Sequence, residues 1–259
     1  MILPIQVEKI NALATLAGKA IMEIYAMEDF SEIVDYKSDH SPLTLADKKA
    51  NKIILDGLQS IYPEIPIISE EEALPSYEER KAWKWFWLVD PLDGTKEFIK
   101  RNGEFTVNIA LIFEGSPVMG VIYVPATEVL YYSSIRSGAF SEFNGRTSVM
   151  KVSQKKQGLV SIGSRSHSSN KESEVLSAYP ISEYLTAGSS LKFCRIAEGF
   201  ADIYYRGGPT MEWDIAAGHA IVEAAGGCVL DENGLPFRYN KANLLNGPFL
   251  CLGRQFDGK

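Results

Sequence analysis

The sequence predicts a layered α/β fold of the α+β kind, and three features of it carry that expectation. Apolar residues recur at helical spacing near the start, β-rich runs fill the middle, and strand and helix patterns alternate from about Gly158 onward. At 259 residues and 46% hydrophobic, the chain has enough apolar material to bury a substantial core.

Taken in order, Ile10, Leu13, Ala17, Ile21 and Ile24 fall on one helical stripe, as do Ile53, Ile54, Leu58 and Ile61. Two amphipathic helices therefore open the chain, with a polar loop between them. Thr44 and Asp47 have the spacing of a capping box, with Asp in place of the usual Glu, which starts the second helix near Leu45. Ile67 and Ile68 then run into Ser69-Glu70-Glu71-Glu72, and the run 85–89 ends in Asp90-Pro91-Leu92-Asp93-Gly94. Both are expected to be buried strands that deliver acids at their ends. Trp83, Trp85 and Trp87 alternate, which places them on one strand face as core packing rather than as a base-stacking platform.

The runs 106–113, 118–124 and 129–135, separated by Gly-Ser-Pro and Pro-Ala-Thr turns, predict an antiparallel meander. Beyond them the pattern reads as strand 159–162, helices near 170–178 and 190–198, strand 203–205, helix 213–225 and strand 228–230. There is no repeat or Pro/Ser-rich linker, so a boundary near 145–158 divides subdomains 1–150 and 151–259 rather than independent units.

A net charge of -7 gives no general attraction to nucleic-acid backbones or anionic membranes, so a phosphorylated partner must be met by local cations or bound metal. The expected partner is a small molecule, not a nucleic-acid polymer. Three scattered cysteines, Cys194, Cys228 and Cys251, form no CxxC pair, which suits a reducing compartment. The opening Met1-Ile2-Leu3-Pro4 shows no secretory pattern, and no stretch approaches about 18 uninterrupted apolar residues. The expectation is a cytoplasmic protein without a transmembrane segment; peripheral association with the inner membrane and the choice between monomer and homodimer stay open.

The segment Trp87-Leu88-Val89-Asp90-Pro91-Leu92-Asp93-Gly94-Thr95 carries the chemistry. An apolar strand that ends in two aspartates around a Pro-Leu bend sets two hard oxygen ligands side by side, with backbone carbonyls able to join them. Gly94 and Thr95 would open a helix over 96–100 whose amides could receive a phosphate oxygen. Each piece also has a bland reading. Pro-Leu-Asp-Gly is a common turn, Asp214 could be an N-cap, Asp47 could serve only its capping box, and the glutamate run could be a solvated loop. His219, on an apolar helix, reads as a packed core residue. Cys194 lacks an activating base nearby, so a nucleophilic thiol is not expected there.

Leu43-Thr44-Leu45-Ala46-Asp47, Ser69-Glu70-Glu71, Asp90-Pro91-Leu92-Asp93-Gly94-Thr95 and Trp213-Asp214-Ile215-Ala216-Ala217-Gly218 occur in the order of the signature motifs of the inositol monophosphatase superfamily. The resemblance spans nearly the whole chain, and the DPxDGT and WD motifs together are highly specific. Within that superfamily, Lys96-Glu97-Phe98-Ile99 after DGT, Arg101-Asn102-Gly103-Glu104-Phe105, Ser164-Arg165-Ser166-His167 and Gly188-Ser189-Ser190-Leu191-Lys192-Phe193 resemble the bisphosphate nucleotidases.

The resemblance implies an αβαβα sandwich and two or three Mg²⁺ ions. Glu70, Asp90 and the Leu92 carbonyl would bind one ion, and Asp90, Asp93 and Asp214 a second, with Glu71 assisting a further water or weak metal. Thr95, paired with Asp47, would orient the attacking water. Gly94, Thr95, Gly188 and Ser189 would line the phosphate site, and Lys192, Arg206, Arg165 and His167 are candidates for the second phosphate of a nucleotide. The implied reaction is hydrolysis of 3′-phosphoadenosine 5′-phosphate to AMP and phosphate. An inositol or other sugar monophosphatase with the same metals is the enzymatic alternative, and a non-catalytic nucleotide or metal sensor is the alternative of another class.

Overall fold

A computed structural model describes residues 5–27, 34–36, 42–134, 137–165 and 170–254. Helices α1 (Val7–Tyr25) and α2 (Leu45–Ile61) form where the two apolar stripes predict them. Ile10, Ala14, Ala17, Ile21 and Ile24 of α1 are buried, as are Ala46, Ala50, Ile54 and Leu58 of α2. The segment read as a loop between them holds a short antiparallel pair, β1 (Val34–Tyr36) and β2 (Pro42–Thr44). Three residues are too few for a period-2 pattern to show.

Strand β3 (Ile67–Ser69) pairs in parallel with β4 (Trp85–Asp93), and the short helix α3 (Tyr77–Arg80) lies in the connection. After α4 (Thr95–Ile99) come β5 (Thr106–Phe113), β6 (Ser116–Val124), β7 (Val129–Ser134), β8 (Gly138–Phe143) and β9 (Arg146–Met150). These strands make one sheet in the order β3-β4-β5-β6-β7-β8-β9, antiparallel from β4 onward. The expected meander is thus extended by β8 and β9. Residue 135, the expected end of its third strand, lies outside the described residues. β9 is exposed at its first four residues, so it lacks the buried face that a sequence pattern would reveal.

The chain then alternates through β10 (Leu159–Ser164), α5 (Asn170–Leu176), β11 (Ile181–Ala187), α6 (Leu191–Ala197), β12 (Ile203–Arg206), β13 (Thr210–Met211), α7 (Glu212–Ala224), β14 (Cys228–Asp231), β15 (Leu245–Asn246) and β16 (Phe249–Leu252). A second sheet has the order β11-β10-β12-β16-β14, parallel around β10 and antiparallel around β16. β11, a largely exposed edge strand, and β16 are additions to the expected elements.

The layers run α1 and α2, first sheet, α6 and α7, second sheet, α5. This is the expected αβαβα sandwich. One apolar core lies beneath α1 and α2 and includes fully buried Trp87. A second fills the space around α6 and α7 between the sheets, and a smaller third lies on the α5 face. Each fully buried Leu, Ile or Phe contributes about 1.5–3 kcal/mol.

The three tryptophans do not share one face. Trp85 and Trp87 pack toward α1 and α2, but Trp83 precedes the strand and packs against the other core, beside Phe86. Alternation fixes direction only inside a strand, and β4 begins after Trp83.

Two glycines let α7 sit close to its neighbours. A Cβ on Gly120 of β6 would lie 2.2 Å from the carbonyl oxygen of Ala217, and one on Gly218 would lie 2.4 Å from the Phe193 ring. Backbone on one side and a buried ring on the other thus seat the helix that begins beside Asp214.

Candidate metal centre and active site

The first sheet delivers acids at the ends of β3 and β4, and α7 brings another from the far end of the sequence. The three residues Glu70, Asp90 and Asp214 each offer an oxygen within 4.8 Å of the others. Hydrogen bonding sets the three glutamates apart. The Glu70 amide donates to the Val89 carbonyl at 3.1 Å, continuing the β3–β4 pairing. Asn51 draws Glu72 away, with its Nδ2 donating to Glu72 Oε1 at 2.8 Å and its Oδ1 accepting from Ser69 Oγ at 2.7 Å. Glu71 lies along a separate depression with Lys48 and Asn51, outside the wall that holds Glu70.

A one-residue bulge shapes the Pro-Leu bend. Asp90 pairs with Asn108 and Asp93 with Thr106, so three steps on β4 face two on β5. The Leu92 amide donates to Asp90 Oδ1 at 3.1 Å, which ties the bend to the first aspartate. Gly94 follows at φ +89°, and a Cβ there would stand 3.2 Å from the Glu104 carbonyl oxygen and from Ser189 Cβ. The Thr95 hydroxyl then has two acceptors in reach, Asp47 Oδ1 at 3.3 Å and the Leu92 carbonyl at 3.4 Å.

Asp93 is held by one residue of its own sheet and one that precedes α6. Its Oδ2 lies 2.8 Å from Ser190 Oγ and 3.3 Å from Asn108 Nδ2. Ser190 Oγ also lies 2.9 Å from the Asp214 carbonyl and accepts from Asn108 Nδ2 at 2.8 Å. Asp214 Oδ2 accepts from the Met211 amide at 2.8 Å, so the capping geometry and the place in the acidic cluster coexist in one residue.

Asp90, Asp93 and Asp214 all lie above the usual carboxylate range. For Asp90 the main cause is burial, followed by the charges of Glu70, Asp93, Asp214 and Asp47. Burial also dominates at Asp214, followed by Asp93, and is partly offset by the Met211 amide. At Asp93 burial is opposed by Lys192, Ser190 and Asn108. Hard oxygen donors that repel one another at this spacing fit a divalent cation of the magnesium class.

These carboxylates open into a cavity of about 460 Å³ whose wall also includes Gly94, Thr95, Gly188, Ser189, Lys192 and Arg206. Lys192 is buried, and its ammonium donates to the carbonyls of Ala187 and Ser189. Burial lowers it to about 8, against the opposing pull of Asp93. Arg206 Nη2 donates to the Pro209 carbonyl at 3.3 Å. Arg165 is placed differently from the expectation: its guanidinium makes a two-pronged pair with Glu104, at 2.7 Å on each side, and it does not line the cavity. The carboxylate claims the planar fork that a phosphate would need. His167 lies outside the described residues.

His219 is buried, with Nδ1 2.9 Å from the Tyr239 hydroxyl. Cys194 is buried too, and burial pushes its thiol well up. Ser190 and Asn108, the residues that hold Asp93, escape sequence reasoning. An Asn facing inward from an otherwise apolar strand was the available signal for one of them.

A sheet that delivers acids at strand ends, closed by a helix that supplies another, is the arrangement of a metal-dependent phosphatase fold. The chain belongs to the inositol monophosphatase family, whose model matches residues 5–255. Two curated relatives are the 3′(2′),5′-bisphosphate nucleotidases CysQ of Salmonella typhimurium and Escherichia coli K12. The first is 47% identical over 245 residues, covering 93% of this chain and 97% of the relative. The second is 46% identical over 243 residues, with the same coverage of each. The solved structure of CysQ from Bacteroides thetaiotaomicron, a bacterial member of the inositol monophosphatase family, superposes with a TM-score of 0.84 at 40% identity, covering 98% of this chain and all of that one. A Thermotoga maritima IMPase shares the fold, with a TM-score of 0.79 at 23% identity and 95% and 91% coverage.

Proposed function

We propose that this chain is a magnesium-dependent phosphomonoesterase that removes the 3′-phosphate of 3′-phosphoadenosine 5′-phosphate to give AMP and phosphate, clearing a by-product of sulfate assimilation. The observation that carries the reading is one cavity whose wall holds Glu70, Asp90, Asp93 and Asp214 together with Lys192 and Arg206. The acids need cations before any phosphate can enter. Lys192 and Arg206 suit a second phosphate, which a bisphosphate nucleotide has and an inositol monophosphate lacks. The names of the CysQ relatives favour the same substrate.

Glu70, Asp90, Asp93, Asp214 and the Leu92 carbonyl would hold two magnesium ions, and Glu71, outside that wall, could assist only a further water or weakly held ion. Magnesium, when bound, supplies positive charge to the phosphate site and acidifies water. The chain's own residues do the rest. Asp47 accepts a hydrogen bond from the Thr95 hydroxyl, which leaves a Thr95 lone pair to orient water; as water gives its proton to Thr95, Thr95 passes its own to the Asp47 carboxylate. Gly94 turns the chain into α4 at φ +89°, where a side chain would press on Glu104 and Ser189. Lys192 and Arg206 would bind the phosphate that is not cleaved.

No helix among the described residues is long and apolar enough to cross a membrane. We assign the protein to the cytoplasm, where three buried, unpaired cysteines would persist.

The test is phosphate release from 3′-phosphoadenosine 5′-phosphate and from inositol 1-phosphate, with and without magnesium, for wild type and Asp93→Asn. Magnesium-dependent turnover of the nucleotide that the substitution abolishes supports the reading. A clear preference for inositol 1-phosphate moves the substrate and keeps the metal chemistry.

A further inference from the structure

We propose that Glu212, acting with Lys241, is a positioning residue that fixes the Asp214 carboxylate for cation binding; the inference rests on the reading of the acidic cluster as a magnesium site. Glu212 is the first residue of α7 and is fully buried. Glutamate is almost never fully buried unless paired. Its Oε2 accepts from the Asn240 amide at 2.8 Å, and its Oε1 accepts from the Lys241 amide at 3.0 Å and from Lys241 Nζ at 2.6 Å.

The network leads straight to Asp214. Lys241 Nζ also donates to Asn246 Oδ1 at 2.9 Å, and Asn246 Nδ2 donates to the Met211 carbonyl at 2.7 Å and to Thr210 Oγ1 at 3.1 Å. Met211 in turn donates its amide to Asp214 Oδ2. The Met211 residue is therefore held at its carbonyl by the 240–246 loop and at its amide by the metal-site carboxylate. Pairing of β13 with β15, and donation from the Glu212 amide to the Leu244 carbonyl at 3.1 Å, fasten the same segment.

The far side of the loop is anchored as well. Arg80 of α3 donates through Nη1 to Asn240 Oδ1 at 2.7 Å and through Nη2 to the Ala242 carbonyl at 2.9 Å. Glu212 is buried and Lys241 only half-buried, and such an ion pair is weak support for stability by itself, since apolar residues of similar shape often serve as well. What this pair adds is direction: it orients the loop that orients Met211, and Met211 sets the rotation of the Asp214 carboxylate. Residues behind the direct ligands commonly change metal affinity about 10–100-fold.

The experiment is calorimetric titration of the metal-stripped full chain with magnesium, for wild type, Glu212→Gln, Lys241→Met and the double variant, alongside thermal melts without metal. Each single substitution is expected to weaken magnesium binding about tenfold, and the double variant to be no weaker than the poorer single one. At saturating magnesium, kcat should return toward wild type, with KM for the nucleotide unchanged. Variants that melt lower yet bind magnesium with wild-type affinity would reduce Glu212 to a structural role and overturn the proposal. Should Glu212→Gln fail to fold, Asn246→Leu, which frees the Met211 carbonyl and keeps the Glu212–Lys241 pair, carries the same expectation and the same refutation. Wild type that binds no magnesium would defeat the cation reading itself, and this proposal with it.

Discussion

Thr95 Oγ1 stands 3.3 Å from Asp47 Oδ1, across 48 positions of sequence. Asp47 is buried in the first turn of α2, so its carboxylate serves a partner on another element rather than solvent. If this pair orients and deprotonates water, Thr95→Val and Asp47→Asn should each lower kcat by about 10²–10⁴. Magnesium affinity should hardly change, and Thr95→Ser should keep most of the activity. Steady-state kinetics at saturating magnesium are the check. Wild-type kcat in Thr95→Val would remove the relay.

Removal of one buried charge should stabilise the metal-free protein. Asp90 has a raised folded-state pKa, so the folded chain holds its proton more tightly than the unfolded chain does. Stability therefore falls as pH rises from the ordinary carboxylate range, near 4, through the raised value, and Asp93 and Asp214 act in the same direction. In chelator, Asp90→Asn is expected to melt above wild type by a margin that widens from pH 5 to pH 8, each kcal/mol appearing as roughly 2–4 °C. Magnesium at pH 8 should raise wild type by mass action and leave the variant nearly unmoved. Equal melting of the two proteins across that range would contradict the expectation.

Lys192 should discriminate substrates. Burial lowers its pKa to about 8, so it is mostly charged at neutral pH and loses the proton as pH rises through that value. Hydrogen bonds to charged groups contribute about 1.5–3 kcal/mol. Lys192→Met should accordingly raise KM for the bisphosphate nucleotide roughly tenfold to a hundredfold, with a far smaller effect on a substrate carrying one phosphate. The wild-type KM should climb above about pH 8, and the variant should lack that rise. Equal losses on both substrates would place Lys192 in the fold and not in recognition.

The seat of α7 allows a steric test. A Cβ on Gly120 would meet the Ala217 carbonyl at 2.2 Å, and backbone cannot step aside as a side-chain tip can. Gly120→Ala is expected to cost about 1–3 kcal/mol. It should also weaken magnesium binding, because Asp214 moves with its helix. Chemical denaturation and calorimetry together separate the two effects, and an unchanged denaturation midpoint would show that the contact is relieved cheaply.

Much of the fold was legible because its strongest signals are local. The apolar stripes of α1 and α2, the buried runs of β4 to β6 and the apolar helix α7 declare themselves within a dozen residues each. β9, exposed at four of its five residues, and β11, mostly exposed at a sheet edge, show no such contrast. Both exist through pairing with neighbours that a short window does not contain. The site divides in the same way. Asp90, Asp93 and Thr95 stand together in one motif, whereas the placement of Glu70 beside Asp90 and of Glu72 against Asn51 depends on groups from other elements. Arg165 pairs with Glu104, 61 positions away, a partner that no short window contains.

The sequence by itself determined the element types, the α/β layering and the set of acids, because helical and strand periodicity, turn chemistry and the spacing of carboxylates are properties of neighbouring residues. Only the tertiary structure decided which carboxylates converge, that Lys192 and Arg206 line the cavity while Arg165 pairs with Glu104, and which groups Ser190, Asn108 and Glu212 hydrogen-bond. Those outcomes depend on groups that the chain brings together across tens to hundreds of residues, where geometry and burial choose among chemically similar side chains.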